Sequence, residues 1–285
     1  MKKVLTAGLV SLLIVVFSLE KLGELYRNRR PLEGIKYVPK PGLLKTISLE
    51  YRMVLADFFW MKVTLFYGDP KFRKKAEPAD WDYIEKTIEV VTELDPYFFI
   101  PYYFAGIILP LEADRVDQAN KFLLKGLKYL KNEWRIPFLL GFNYYYYKHD
   151  YLKAAEYLEI ASKLPGSPEY LPKLAARLRY QAGDLRHAIA FLRTMYNSTD
   201  NLELKKSLAR RIKAFEDILY LTKAVEIYRT RTGRLPGSLE DLVRAGIIRS
   251  IPREPYGGKY YFDPEDGRVK TTSNFRMVKK NEQKE

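Results

Sequence analysis

The chain has 285 residues, of which 47% are hydrophobic and 14% aromatic, and this composition excludes a wholly disordered protein. Its formal net charge of +14 brings nucleic acid, anionic lipid or an acidic partner into consideration, although basic and acidic residues alternate along much of the chain, as on solvated helix faces. Cysteine is absent, which excludes disulfides, iron–sulfur clusters and thiolate zinc sites.

An apolar segment lies close to the N-terminus. Residues 4–19 carry no charge and follow Lys2 and Lys3. The segment is slightly short for a spanning helix and has the length of the apolar region of an export signal. Because no small-residue cleavage site follows it, we predict an uncleaved transmembrane anchor over residues 1–22. A removed signal and a buried core helix are the alternatives.

The flanks of this segment give opposite indications of orientation. Basic residues are more numerous after it, at Arg27, Arg29 and Arg30, and positive charge prefers the cytoplasm. The short Lys-Lys start is typical of an export signal and favours the other side. We predict a single-pass protein of the inner cell membrane with its body outside the cytoplasm, the opposite orientation remaining open. Residues 23–47, rich in Pro and Gly, are predicted to form an extended linker.

A repeated pattern runs through the middle of the chain. Ile84, Ala119, Ala154 and Ala188 are 35, 35 and 34 residues apart, and each is followed four positions later by Ile or Leu. A fixed period of about 34 residues is typical of stacked helical hairpins, because the second helix of each unit must nest against the first. The alternative is one irregular helical domain with accidental periodicity.

The preceding helices repeat in step with these positions. Gly106 and Gly141 lie 13 residues before Ala119 and Ala154, and the sequence Leu-Asp-Pro at residues 94–96 closes one unit. This pattern resembles the tetratricopeptide repeat family, although the family's Trp position holds other residues and the Gly-to-Ala spacing is one residue longer. The resemblance implies a helical-hairpin solenoid over residues 48–222, with a capping helix that starts near residue 202. Its packing positions are Gly106, Ala119, Gly141, Ala154 and Ala188.

Aromatic residues are concentrated on the first helices of two units. Four successive tyrosines on one helix cannot all face the core, since neighbouring residues differ by about 100° around the axis. We predict a partner-binding concave surface there, because tyrosine is frequent among the residues that dominate binding energy. The alternative is packing between hairpins with the hydroxyl groups at the rim. The predicted surface comprises Tyr102, Tyr103, Tyr144, Tyr145, Tyr146 and Tyr147.

The C-terminal part changes character and is predicted to be a small α+β module over residues 223–276. A Gly-x-x-Pro turn precedes a short Leu-rich helix with Ser238 as its N-cap, and a tyrosine-containing hairpin follows. This order resembles the C-terminal part of type II secretion major pseudopilins, with Glu254 in place of Asp and Tyr256 in place of Trp. The N-terminus lacks the prepilin motif. Residues 277–285 are predicted to be disordered.

Pseudopilins bind calcium near this end, but the residues of the hairpin turn do not supply a full set of oxygen ligands. We therefore interpret Asp263, Glu265 and Asp266 as turn residues and predict no metal site. His149 and His187 lie on different elements without a ligand-like neighbour. No phosphate-binding glycine loop or nucleophile motif occurs, so we predict neither an enzyme nor a cofactor.

These patterns together predict a mostly α protein with a membrane-anchored tetratricopeptide-like solenoid and a small α+β module. The predicted function is a protein–protein interaction or assembly scaffold for envelope, pilus or secretion machinery, with a protein or peptide partner on its concave surface. Two alternatives remain. One is a basic solenoid that binds nucleic acid, and the other is a membrane-associated enzyme with an active site around Glu254 and Asp263.

Overall fold

The computed structural model describes residues 17, 18, 20, 21 and 36–273, and this part of the chain is mostly helical with one two-stranded sheet. It divides into two compact units, Met1–Asp114 and Arg115–Glu285. The predicted anchor at residues 1–22, except for those four residues, and the predicted tail at 277–285 lie outside the described residues. Within the described part, no helix is both long and apolar enough to cross a membrane.

The first unit is built from helices of very different lengths. Its longer helices are joined by short turns, and a 3-10 turn at Leu49–Tyr51 precedes the second helix. The helices are α1 (Pro41–Ile47), α2 (Arg52–Gly68), α3 (Pro70–Lys74), α4 (Pro78–Leu94) and α5 (Phe99–Ala113).

Helix α1 lies within the stretch that was predicted to be an extended linker. Pro41 occupies its first turn, where the missing proline N–H would have no helical partner in any case. Leu44 is buried in one core cluster with Val90 and Leu94 of α4, and Lys45 pairs with Glu93 at 2.5 Å. Packing against α4 therefore makes a helix of a segment whose Pro and Gly content favours a loop.

Helix α4 begins at a capping box and carries a predicted repeat position on its buried face. A capping box joins Glu77 and Asp80, and the Glu77 N–H donates to the Asp80 carboxylate at 2.9 Å. Ile84 and Ile88, at the predicted repeat spacing, are completely buried. The fully buried Asp80 side chain pairs with Lys36 at 2.8 Å, which neutralises its charge.

Helix α2 is apolar on two faces. One face, with Ala56, Phe59, Val63 and Phe66, is buried in the unit. The other face also carries large apolar side chains, which are exposed among the described residues. They are Val54, Phe58, Met61 and Leu65.

The second unit is a succession of helices, each packed against the next along the chain. This sequential packing is the arrangement expected of helical repeats. The helices are α6 (Val116–Tyr129), α7 (Arg135–Tyr146), α8 (Tyr151–Ser162), α9 (Leu171–Gln181), α10 (Leu185–Ser198) and α11 (Leu202–Thr232).

Small residues set the close spacing of α7 and α8. A Cβ added to Gly141 would lie 2.8 Å from Leu158 Cγ and 3.0 Å from the Ala154 carbonyl oxygen. Ala119, Ala154 and Ala188 are all completely buried. Gly141 and these three alanines therefore lie in the core of the second unit.

The C-terminal module consists of α12 (Leu239–Arg244) and an antiparallel hairpin of β1 (Tyr260–Asp263) and β2 (Arg268–Thr271). Phe262 pairs with Val269 across the hairpin, and both are buried in the same core cluster as Phe215 of α11. Helix α11 continues to Thr232, where Gly233 adopts the left-handed conformation with φ of 73°. The predicted boundary between residues 222 and 223 therefore falls inside one continuous helix.

Candidate functional site

The six tyrosines predicted to bind a partner occupy different environments. Tyr102 is completely buried, and its hydroxyl donates to the Pro96 carbonyl at 3.2 Å, so it cannot contact a partner in this conformation. Tyr103 is 37% exposed on α5 of the first unit. The other four lie at the end of α7 in the second unit.

The tyrosines at the end of α7 divide between packing and exposure. Tyr144 stacks on Tyr157 of α8 with a ring separation of 5.5 Å. Tyr146, 57% exposed, stacks on Phe142 at 5.5 Å, and Tyr147 contacts Tyr146 edge-on. Tyr145 is 40% exposed. Tyr144 therefore packs between helices, whereas Tyr145 and Tyr146 present part of their rings to solvent.

Tyr145 lines a cavity of about 410 Å³ between α7 and α9, which we call the aromatic groove. Leu158 of α8 also lines it and packs directly against Gly141, where an added Cβ would lie 2.8 Å from Leu158 Cγ. The remaining walls are largely apolar. The groove residues of α7, α9 and the preceding loop are Phe138, Phe142, Tyr145, Tyr170, Leu174 and Leu178.

Sequence reasoning identified Tyr145 but missed most of this groove. Phe138, Phe142 and Tyr145 follow the i, i+4, i+7 spacing of one helix face, and α9 supplies Leu174 and Leu178 at the matching spacing. That spacing is a usable signal. Tyr170 offers none, because it lies in the turn before α9 and reaches the groove only through the fold.

A second, larger cavity of about 810 Å³ lies in the same unit, between the α9–α10 turn, α11 and the β-hairpin. We call it the basic cleft, because Arg177, Arg186, Arg268 and Lys270 outnumber its carboxylates. Hydroxyl groups of Thr222 and other residues also line it. Sequence reasoning missed this cleft because its residues come from four separate parts of the chain.

Ion pairs hold the edge of the basic cleft in place. The Asp184 carboxylate forms an ion pair with Arg179 at 2.8 Å and a hydrogen bond with the His187 ring at 2.6 Å. Burial alone would raise the pKa of Asp184, but the hydrogen bonds from His187 and Arg179 outweigh it and lower that pKa. Burial raises the pKa of the Tyr180 hydroxyl, which donates to the Val269 carbonyl at 3.3 Å. These contacts therefore connect helix α9 to the α9–α10 turn and to the β-hairpin.

The two residues of the alternative enzyme hypothesis serve the local backbone. The Glu254 carboxylate is buried, and one of its oxygens accepts from the Tyr256 and Gly258 N–H groups, both at 2.8 Å, and from the Ser273 hydroxyl. Asp263 accepts from Lys270 at 2.6 Å, and this hydrogen bond is the main reason that its pKa is lowered. Neither residue lines the aromatic groove or the basic cleft.

The hairpin turn uses its carboxylates as turn residues. Asp263 accepts from the Glu265 N–H and Asp266 from the Arg268 N–H, both at 3.0 Å. Within residues 36–273 and the four described N-terminal residues, no group of three or more His, Asp or Glu side chains is placed to hold a metal ion.

Comparison of the chain with protein-family models, with curated proteins and with solved structures found no match. The tetratricopeptide and pseudopilin resemblances therefore depend on the residue patterns alone.

Proposed function

We propose that the protein is a membrane-anchored interaction or assembly scaffold whose residues 48–222 form a tetratricopeptide-like solenoid. The stacking of each helix from α6 to α11 on its neighbour supports a solenoid, because such folds bury their core between adjacent repeats. The apolar run within residues 1–22 is the proposed anchor.

The aromatic groove is the observation that carries this proposal. Its volume of about 410 Å³ is within the range of natural binding pockets. Phe142, Tyr145 and Tyr170 are 39%, 40% and 38% exposed around it, so three aromatic rings stand at its opening. Aromatic side chains at the edge of an apolar pocket are typical of the residues that dominate protein binding energy. A peptide or protein segment with apolar side chains is the occupant that fits.

The two alternative functions have weaker support. Nucleic-acid binding needs a continuous stripe of free cations, whereas Lys148 pairs with Asp117 at 2.8 Å and Arg193 with Glu216 at 2.5 Å on the helix surfaces. For catalysis around Glu254, the carboxylate oxygen that accepts three hydrogen bonds is already committed to its own turn. Binding of a protein partner is the function that the open aromatic groove supports.

The C-terminal module gives the proposal its context. Its likeness to the end of a pseudopilin suggests a partner from envelope, pilus or secretion machinery. The proposed location is the inner membrane, with the body outside the cytoplasm. Protease treatment of spheroplasts and of inverted vesicles tests this location, since only a body outside the cytoplasm is digested in the former and protected in the latter.

Photo-crosslinking in native membranes tests the partner proposal. A benzoylphenylalanine at position 145 is expected to give a specific protein adduct, whereas the same residue at position 220 is the matched control. Tyr220 is 47% exposed on α11 and does not line the groove. Adducts with lipid only, or identical adducts from both positions, would contradict binding at the aromatic groove.

A further inference from the structure

We infer that the partner segment carries acidic residues next to the apolar side chains that enter the aromatic groove, and that these acidic residues bind in the basic cleft. This inference rests on the proposed partner binding and names the chemistry of the partner. Two residues, Arg177 and Gln181, line both the aromatic groove and the basic cleft. The groove and the cleft therefore adjoin at α9, and one extended segment can occupy both.

The basic cleft contains cations that the chain does not neutralise. Among the described residues, no carboxylate forms an ion pair with the side chain of Arg177, Arg186 or Arg268. Neighbouring cations behave differently, because Arg179 pairs with Asp184 at 2.8 Å and Lys270 pairs with Asp266 at 2.5 Å. The three arginines thus keep their hydrogen-bond donors available for a ligand.

Arginine is well suited to this role. Its planar guanidinium presents two parallel N–H groups to a carboxylate, and such charge-assisted pairs are stronger than neutral hydrogen bonds. The Thr271 hydroxyl also lines the cleft; it accepts from the Ser273 N–H and can donate its own proton to the same acceptors. Arg177 stands where the apolar walls end and the polar walls begin. The partner is therefore expected to carry an apolar or aromatic residue with acidic residues close to it in sequence.

A peptide fits this pair of cavities better than a nucleic acid. Asp184 and Glu226 also line the cleft, and they would repel the regularly spaced phosphates of a nucleic-acid backbone. A peptide can place its few carboxylates at the arginines and keep neutral residues near Asp184 and Glu226. The walls of the aromatic groove also include the aliphatic Leu158, Leu174 and Leu178, which favour apolar side chains over stacked bases.

Selection of random dodecapeptides displayed on phage tests the inference with the full-length protein in detergent micelles. We expect the enriched peptides to combine an aromatic or aliphatic residue with neighbouring Asp or Glu. The double variant Arg177→Gln/Arg268→Gln should weaken an enriched peptide by about ten- to hundredfold, the range for hydrogen bonds to charged groups. Arg249→Gln, which removes an exposed charge outside the cleft, should leave the affinity unchanged.

A further variant separates partner binding at the aromatic groove from the acidic character of the partner. Tyr145→Ala should weaken the same peptides through the aromatic groove, while Glu-to-Gln changes in the peptide should have a smaller effect on the double arginine variant, which keeps only Arg186, than on the wild-type protein. Peptides that respond to Tyr145→Ala but lack acidic residues would overturn this inference and leave the proposed function standing. An absence of enrichment, or peptides insensitive to Tyr145→Ala, would overturn both. Displacement of the peptides by a single-stranded oligonucleotide would overturn the inference of an acidic peptide partner and indicate nucleic acid instead.

Discussion

Gly141 lies both in the packing contact between α7 and α8 and in the wall of the aromatic groove. Its missing side chain allows α7 to approach α8, since an added Cβ would lie 2.8 Å from Leu158 Cγ. Gly141 lines the groove, and so does the Leu158 side chain that an added Cβ would displace. One glycine thus couples the stability of the helix pair to the shape of the site.

Gly141→Ala is expected to destabilise the protein by about 1–3 kcal/mol, the usual cost of forcing extra atoms into a packed interior. The cause is contact of the new methyl group with Leu158 and with the Ala154 carbonyl oxygen. Thermal unfolding followed by circular dichroism measures the change. Gly42→Ala is the control, because a Cβ there meets nothing within 4 Å. An unchanged midpoint for Gly141→Ala would show that α7 and α8 are less closely packed than described.

Glu254 is a buried carboxylate whose function is to organise a turn. We expect Glu254→Ala to cost about 2–4 kcal/mol, because the Tyr256 and Gly258 N–H groups and the Ser273 hydroxyl lose a charged acceptor. Glu254→Gln keeps one acceptor oxygen and should cost less. Urea unfolding measures both variants, with the exposed Glu265→Ala as the control. Equal midpoints for all three would rule out this structural role.

The sequence predicts individual site residues only where its pattern reveals which face of a helix they occupy. Tyr145 is predictable because four successive tyrosines must present some rings to solvent. Arg177 is not, because 49 Lys and Arg residues look alike in sequence and only the fold decides which of them meet a carboxylate. The predicted Tyr102 is buried for a related reason, since its neighbours in space determine its exposure.

At the scale of elements, capping residues define where α12 begins. The Asp241 carboxylate accepts from the Gly237 N–H at 2.8 Å and from the Ser238 N–H at 3.1 Å. These backbone hydrogen bonds, that of Ser238 first, lower the pKa of Asp241 below its usual value of 3.8. The folded state therefore gains stability from this carboxylate above that pH, and the gain is lost as the pH falls through the lowered pKa.

Asp241→Ala should accelerate amide hydrogen exchange across residues 237–244 at neutral pH, because the N-terminus of α12 loses its side-chain acceptor. Glu240→Ala is a matched control, since it removes an acidic side chain from the same first turn without these hydrogen bonds. The difference between the wild-type protein and Asp241→Ala should shrink below pH 3.8. Exchange that is equal in both variants at neutral pH would contradict a capping role.

Helix α1 shows where element prediction from sequence fails. Pro41 and Gly42 indicate a loop locally, but contact of Leu44 with α4 stabilises a helix there. Helix α4 and the hairpin are predictable, because periodicity, caps and turn residues agree in each. Tertiary contacts decide the outcome where local signals are weak or conflict.

At the scale of the second unit, one core connects the helical repeats to the C-terminal module. Phe215, Ile218 and Leu221 of α11 belong to the same buried cluster as Tyr260 and Phe262 of β1. The Tyr260 hydroxyl also lies 3.4 Å from the Asp217 carboxylate. Sequence composition places a boundary at residue 222, but the burial of α11 on the module makes the two parts depend on each other.

A chain that ends at residue 222 is therefore expected to be much less stable than one that ends at residue 273. Each large apolar side chain that leaves the core costs roughly 1.5–3 kcal/mol. The lost group includes Leu239, Leu242, Tyr260, Phe262 and Val269, so the total is comparable with the roughly 5–15 kcal/mol that stabilises a typical domain. Both chains keep the same N-terminus and are compared by thermal unfolding and by binding of a hydrophobic dye. Equal unfolding midpoints would mean that the repeats fold without the module, and the sequence-based boundary would then be the physical one.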